Sequence, residues 1–149
     1  MAVASQTKIV PLISSGTAGP LGAVHLPRLW SKLTLAAAGL LPEGYNECGS
    51  GFDALTIGNL GLNKDEVMTY VRTRKPTYVE FEEFVRSKGK TDPETIKKHN
   101  AQVLGYNHAD EKAEHMRHDV GFKQSAIKDA VTLNMLEDLH ELHQTVAKA

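Results

Sequence analysis

His25, Arg28 and Lys32 stand three and then four residues apart at the head of the first helical run. On a helix that spacing places them along one polar edge. An imidazole that titrates near neutral pH beside two fixed cations is suited to proton transfer next to a carboxylate, phosphate or enolate. The run feeds a loop, LPEGYNECGSGFD, that carries Tyr45, Glu47, Cys48 and Asp53. Folded back over the helix edge, the loop would bring Tyr45 or Asp53 to His25 to orient it or share its proton, with Arg28 and Lys32 holding an anion. The expected catalytic set is therefore His25, Tyr45 and Asp53, with Arg28 and Lys32 as substrate-binding residues. The plainer alternative has Arg28 and Lys32 as surface charges pairing with Glu43 or Asp53, and His25 capping the helix entry.

Other constellations are weaker. Seven histidines include two pairs at helical spacing, His115 with His118 and His140 with His143, near Glu111, Glu114, Glu137 and Asp138. Di-iron bundles use two Glu-x-x-His pairs plus two further carboxylates. Only one pair occurs here, Glu137-Asp-Leu-His140; three residues after Glu114 stands Arg117, a cation that opposes a metal. No metal is assigned on this ground, and a His/Glu metal protein is kept as an alternative. Cys48 lies beside Glu47, and an adjacent carboxylate raises a thiol's pKa, which works against a nucleophilic role. The glycines of CGSGF match neither a dinucleotide fingerprint nor a phosphate loop, so no nucleotide cofactor is expected. The Leu60-Gly61-Leu62 turn has the form of a helix-turn-helix corner, but the helix after it opens Lys64-Asp-Glu, placing two acids where phosphate would lie.

These side chains need a scaffold, and the periodicity supplies a helical one. Pro27 suits a first helical turn, and Leu26, Leu29, Trp30, Leu33, Ala37 and Leu40 recur as a buried stripe of a helix from about Leu26 to Leu40. Further helices are predicted from Phe52 to Leu60, stopped at Gly61; after Asn63-Lys-Asp-Glu66, read as a reciprocal capping box, with Val67, Tyr70 and Val71; and after Thr77-Tyr-Val-Glu80, with Phe81, Phe84 and Val85, ending near Gly89. Thr91-Asp92-Pro93-Glu94 opens one to about Leu104, Asn107 starts a polar one that Gly121 ends, and a last runs from about Ile127 to Val146. On that last helix Met135, Leu139, Leu142 and Val146 form the expected buried stripe, with Leu133 and Leu136 beside it. No run alternates with β-branched enrichment, so the fold class is all-α: a compact single domain of six or seven short helices. Residues 1–22, rich in Ser, Gly and Pro around the apolar knot Ile9 to Ile13, are expected as an extended N-terminal arm, and residues 23–149 as the helical domain.

A chain of 149 residues is of single-domain size. Seventeen Lys and Arg against eighteen Asp and Glu give a formal charge of −1, which supplies no field for nucleic acid or an acidic membrane. One cysteine closes no intramolecular disulfide, and the longest mostly apolar stretch, Leu33 to Leu41, is far short of the ~20 residues a membrane helix needs. The first 20 residues lack a basic-then-apolar leader pattern. A cytoplasmic location follows as the expectation, with a small-molecule substrate, no nucleic-acid partner and no membrane partner.

The segments GPLGAVHLPRLWSKLTLAAAGLLPEGYN and GFDALTIGNLGLNKDEVMTYV, followed by the TDPETI helix start, resemble in order the motifs of a small bacterial family known as domain of unknown function 5069. The resemblance runs from about Gly19 to Asn107. Ser31 stands where that family commonly has an acid, and the segment from His108 onward departs from the pattern. The resemblance implies a compact helical domain in which His25, Arg28, Lys32, Tyr45 and Asp53 occupy motif positions; it implies no reaction.

The leading expectation is a small all-α enzyme performing acid–base chemistry, of lyase or hydrolase type, on a small polar or anionic molecule. The main alternative is a homodimeric or partner-binding module whose apolar arm crosses to another subunit, because such an arm has little to bury against within a lone helical domain.

Overall fold

The computed structural model describes residues 7–123 and 125–147. Among them the chain is all-α, in seven helices: α1 (Leu26–Ala37), α2 (Phe52–Asn59), α3 (Lys64–Arg74), α4 (Tyr78–Lys88), α5 (Pro93–Leu104), α6 (Asp110–Asp119) and α7 (Ala130–Ala147). No described helix is long and apolar enough to cross a membrane.

The main core gathers Leu26, Leu29 and Leu33 of α1 against Ile57 and Leu60, Val67 and Val71 of α3, and Phe81 and Val85 of α4. Each of these side chains contributes roughly 1.5–3 kcal/mol by leaving water. A smaller cluster joins Ala113 and Met116 of α6 to Leu133 of α7, with Leu136 packed against it. Four of the described helix starts are capped by side chains: Asn63 accepts from the Glu66 amide at 3.0 Å, Thr77 from the Glu80 amide at 3.2 Å, Asp92 from the Thr95 amide at 3.1 Å and Asp129 from the Thr132 amide at 3.0 Å. Only Thr77 and Glu80 form the full reciprocal box. The box expected at Asn63 is half made, because the Glu66 carboxylate lies 3.5 Å from Lys88 on α4.

Three predicted boundaries and two predicted faces are corrected. Helix α1 ends at Ala37, short of Leu40, because Gly39 adopts a left-handed conformation (φ 72°) and the Leu40 amide folds back to the Leu35 carbonyl at 2.8 Å. Gly61 (φ 64°) ends α2 in the same way, through Leu62 and Ile57. Glycine serves at both corners because a Cβ penalises that conformation. The α1 stripe accordingly stops short: Ala37 is exposed and Leu40 half-buried. Helix α6 begins at Asp110 instead of Asn107, and α7 at Ala130 instead of Ile127, for one shared reason. Residues 106–108 and 128–130 pair antiparallel, His108 N–H to Lys128 O at 2.8 Å and Ala130 N–H to Tyr106 O at 2.9 Å, which keeps both segments extended.

The second face is that of α7. Its expected buried stripe faces outward: Met135 is 39% exposed, Leu139 48% and Val146 66%. Ala130 and Leu133 are buried in its place, together with Asp138. An ion pair at Asp138 sets the rotation of the helix, and that side chain stands one residue away from the apolar stripe. Among the described residues, 7–25 contain no helix before α1, and they pack against their own chain. The Ile9 amide donates to Leu40 O at 2.8 Å, Lys8 Nζ to Gly39 O at 2.7 Å, and Val10 and Pro11 are buried. Residues 1–6 of the expected arm lie outside the described residues.

Candidate active site

His25 is the residue on which the site turns. It precedes α1 in a left-handed conformation (φ 70°), which non-glycine residues rarely adopt and which costs of order 1–3 kcal/mol. The surrounding contacts hold it there. Its amide donates to Thr17 O at 3.1 Å, its ring meets Phe52 edge-on, and the residue is 2% exposed. Nε2 lies 2.7 Å from Asp53 Oδ1, and Nδ1 lies 2.9 Å from Ser15 Oγ.

Asp53, in the first turn of α2, arrives from the far side of the loop. Its other oxygen accepts from Lys32 Nζ and, at 2.8 Å, from the Gly49 amide. Asp53 is 4% exposed. Burial alone would raise its pKa, but the hydrogen bond from His25 and the Lys32 charge hold the carboxyl below the usual range. It is therefore an ionised acceptor, which fixes the proton of His25 on Nε2. Nδ1 is then an acceptor, and the Ser15 hydroxyl donates to it. Burial lowers the His25 pKa; Asp53 pulls it back up, while Lys32 and Arg28 push it further down. The ring is neutral at pH 7.

A second ion pair closes the site. Arg28 grips Asp138 of α7 with both arms of its guanidinium, at 2.6 and 3.0 Å, and also donates to the carbonyls of Pro11 and Ile13 at 2.9 Å each. Tyr45 donates to the same Asp138 at 2.8 Å, and burial followed by the Asp138 charge pushes the Tyr45 pKa up, so the phenol keeps its proton. Arg28 thereby joins the N-terminal segment, α1 and α7, while Tyr45 adds the loop.

All five residues expected at the site line one cavity of about 460 Å³, between α1, the loop, α2 and α7. Two details differ from expectation. Arg28 and Lys32 are buried and paired, with Asp138 and Asp53, and do not form an exposed polar edge. Tyr45 reaches Asp138 and not His25. The remaining charges on the wall are mostly acidic: Glu43, Glu137 and Glu141 have no ion-pair partner among the described residues. Ser15 went unrecognised in the sequence because Ser14-Ser15-Gly16 reads only as a turn. Asp138 had a faint signal, since it and Glu137 interrupt an otherwise apolar ridge between Leu136 and Leu139.

Among the described residues no three His, Cys, Asp or Glu side chains are grouped to hold a metal. His115 and His118 sit exposed beside Asp119, and His140 lies 3.3 Å from Gln144. Cys48, within the loop, is buried, and burial, then Asp53, pushes its thiol pKa up. No protein-family model matches the chain, and no curated protein matches it.

Proposed function

We propose that the protein is a small enzyme performing acid–base chemistry, of lyase or hydrolase type, on a small polar molecule bound in the cavity beside His25. The observation that carries this reading is a buried imidazole at the wall of a cavity, with a hydroxyl 2.9 Å from one ring nitrogen and a carboxylate 2.7 Å from the other. In this reading His25 accepts and returns the proton, and Asp53 orients it and stabilises the imidazolium. Tyr45 holds the loop closed through Asp138. Lys32 and Arg28 position the two carboxylates. An anionic substrate would have to displace Asp53 or Asp138 from its cation, in a cavity already rimmed by Glu43, Glu137 and Glu141; an uncharged polar molecule avoids that exchange. We likewise place the chain with domain of unknown function 5069. The motifs that carry the resemblance hold His25, Arg28, Lys32, Tyr45 and Asp53, all of which line this cavity. The lone free Cys48 suits a cytoplasmic location.

The test is a screen of uncharged esters, amides and lactones against isotope-labelled protein, followed by turnover assays on the binders. Binders are expected to shift the amides of Gly44, Gly49, Gly51 and Phe52, and His25→Gln is expected to retain binding while losing turnover. A panel that shifts none of these amides, or turnover that survives His25→Gln, overturns the reading.

A second reading rests on α7, whose exposed Met135, Leu139 and Val146, with the half-buried Leu142, follow the four-three-four spacing of a coiled-coil seam. A second copy of the chain packed along that seam would bury it and make the protein a homodimer. Light scattering should then give twice the chain mass for the native protein and a lower mass for Leu139→Glu; a native monomer at the highest soluble concentration sinks this reading.

A further inference from the structure

We propose that Ser15 is a nucleophile, and that the cavity carries out acyl transfer from uncharged esters to water. This rests on the acid–base reading of His25 above and extends it to a covalent step. Ser15, His25 and Asp53 form one hydrogen-bonded line, Oγ to Nδ1 at 2.9 Å and Nε2 to Oδ1 at 2.7 Å. Because Asp53 only accepts, the line has a single polarity: the Ser15 hydroxyl points its proton at the free lone pair of His25. This is the serine–histidine–acid relay with the roles of the two ring nitrogens interchanged, and imidazole passes a proton equally well in either sense. Among the described residues the Ser15 side chain has His25 as its hydrogen-bond partner and nothing else.

The local backbone holds the hydroxyl in place. Ser15 sits in a tight turn closed by Thr17 N–H to Ser14 O at 3.0 Å, and the Thr17 carbonyl binds the His25 amide. Serine and imidazole are therefore joined through the main chain as well as the side chains. Gly51, before α2, offers no side-chain cap, and Gly51 and Phe52 line the same cavity; in this proposal first-turn amides of that helix receive the developing oxyanion. A second, more apolar cavity of about 880 Å³ shares Ser50, Gly51, Phe52 and Asn134 with the first and gives room for the apolar half of an ester.

In the first step Ser15 Oγ bonds to the ester carbonyl carbon while its proton passes to His25 Nδ1. The bond to the alkoxy oxygen then breaks, that oxygen takes the proton from Nδ1, and the alcohol leaves. Water repeats the sequence on the acyl-serine, losing its proton to Nδ1, and the acid departs as Ser15 recovers its hydrogen. The net reaction is ester plus water to acid plus alcohol, and no redox partner is needed.

The full chain is treated with phenylmethylsulfonyl fluoride, an uncharged aromatic sulfonylating probe, and followed by intact mass and peptide mapping. One adduct per chain on Ser15 is expected, absent in Ser15→Ala and forming roughly a hundredfold more slowly in His25→Gln. Thermal melts confirm that each variant is folded. Ser15→Cys supplies an independent arm: iodoacetamide should alkylate position 15, itself buried beside His25, and adding His25→Gln should slow that reaction. No adduct on folded wild type, an adduct that persists in Ser15→Ala, or a thiol at position 15 whose alkylation is indifferent to His25 overturns the proposal. Loss of the adduct alongside His25-dependent turnover of a bound molecule would sink the nucleophile and leave the acid–base reading standing.

Discussion

His25 and His99 are the two most deeply buried histidines among the described residues, at 2% and 1% exposure, and in both the ring proton sits on Nε2. Around His99, Nε2 donates to the Val24 carbonyl at 3.0 Å and lies 3.5 Å from the Thr56 hydroxyl, and Nδ1 accepts from Asn59 at 3.0 Å; all three partners are neutral. Around His25 one partner is an ionised carboxylate tied to a lysine and the other a hydroxyl, and the backbone is held in a disfavoured conformation beside a cavity. Burial is common to both and distinguishes neither. Charged partners and an adjoining cavity separate His25 from His99, which ties α5 to the loop before α1.

The largest effect that separates the two regions is the cost of removing a partner. Asp53→Ala leaves Lys32 buried without a counter-charge and should lower the unfolding free energy by about 3–5 kcal/mol. Asn59→Ala beside His99 should cost about 1 kcal/mol, the worth of an ordinary hydrogen bond. Urea unfolding of both variants measures the gap, and equal costs would break the distinction.

Next in size is the response to acid. Burial lowers the pKa of both His25 and His99, so the folded protein takes up these protons later than the unfolded chain. Their contribution to stability is complete above about pH 6.5 and is lost as pH falls through the lowered folded values. Replacing either histidine by glutamine should flatten the fall by at most about 1.4 kcal/mol per pH unit. Melts between pH 7.5 and pH 5 read this directly, and a slope unchanged in both variants contradicts it.

The smallest effect sharpens the comparison from outside it. Arg72 of α3 binds Glu47 of the loop at 2.5 Å, but the arginine is half exposed. Arg72→Ala should change stability by less than about 1 kcal/mol, because solvent screens such a pair. A cost equal to that of Asp53→Ala would mean the loop is held from its rim and not by the buried ion pairs.

Much of the fold could be read along the chain. Thr77 and Glu80, Asp92 and Pro93, and Gly61 mark helix ends through bonds that reach only three to five residues, and the leucines of α1 show their buried face by spacing alone, whereas that spacing runs on through Gly39. Local sequence also grouped His25, Arg28 and Lys32, because one helix carries the last two and begins at the first. Tertiary structure decided the rest. The starts of α6 and α7 were hidden because residues 106–108 and 128–130 pair across some twenty positions, a contact with no local signature. The face of α7 was misread because Arg28, 110 residues away, turns Asp138 inward and leaves Met135 and Leu139 outside. Ser15 acquires meaning only when the N-terminal segment folds onto α1 and sets its hydroxyl against His25. Sequence spacing determines which side chains share a helix face; which groups exchange a proton depends on hydrogen bonds that close only when distant segments pack together.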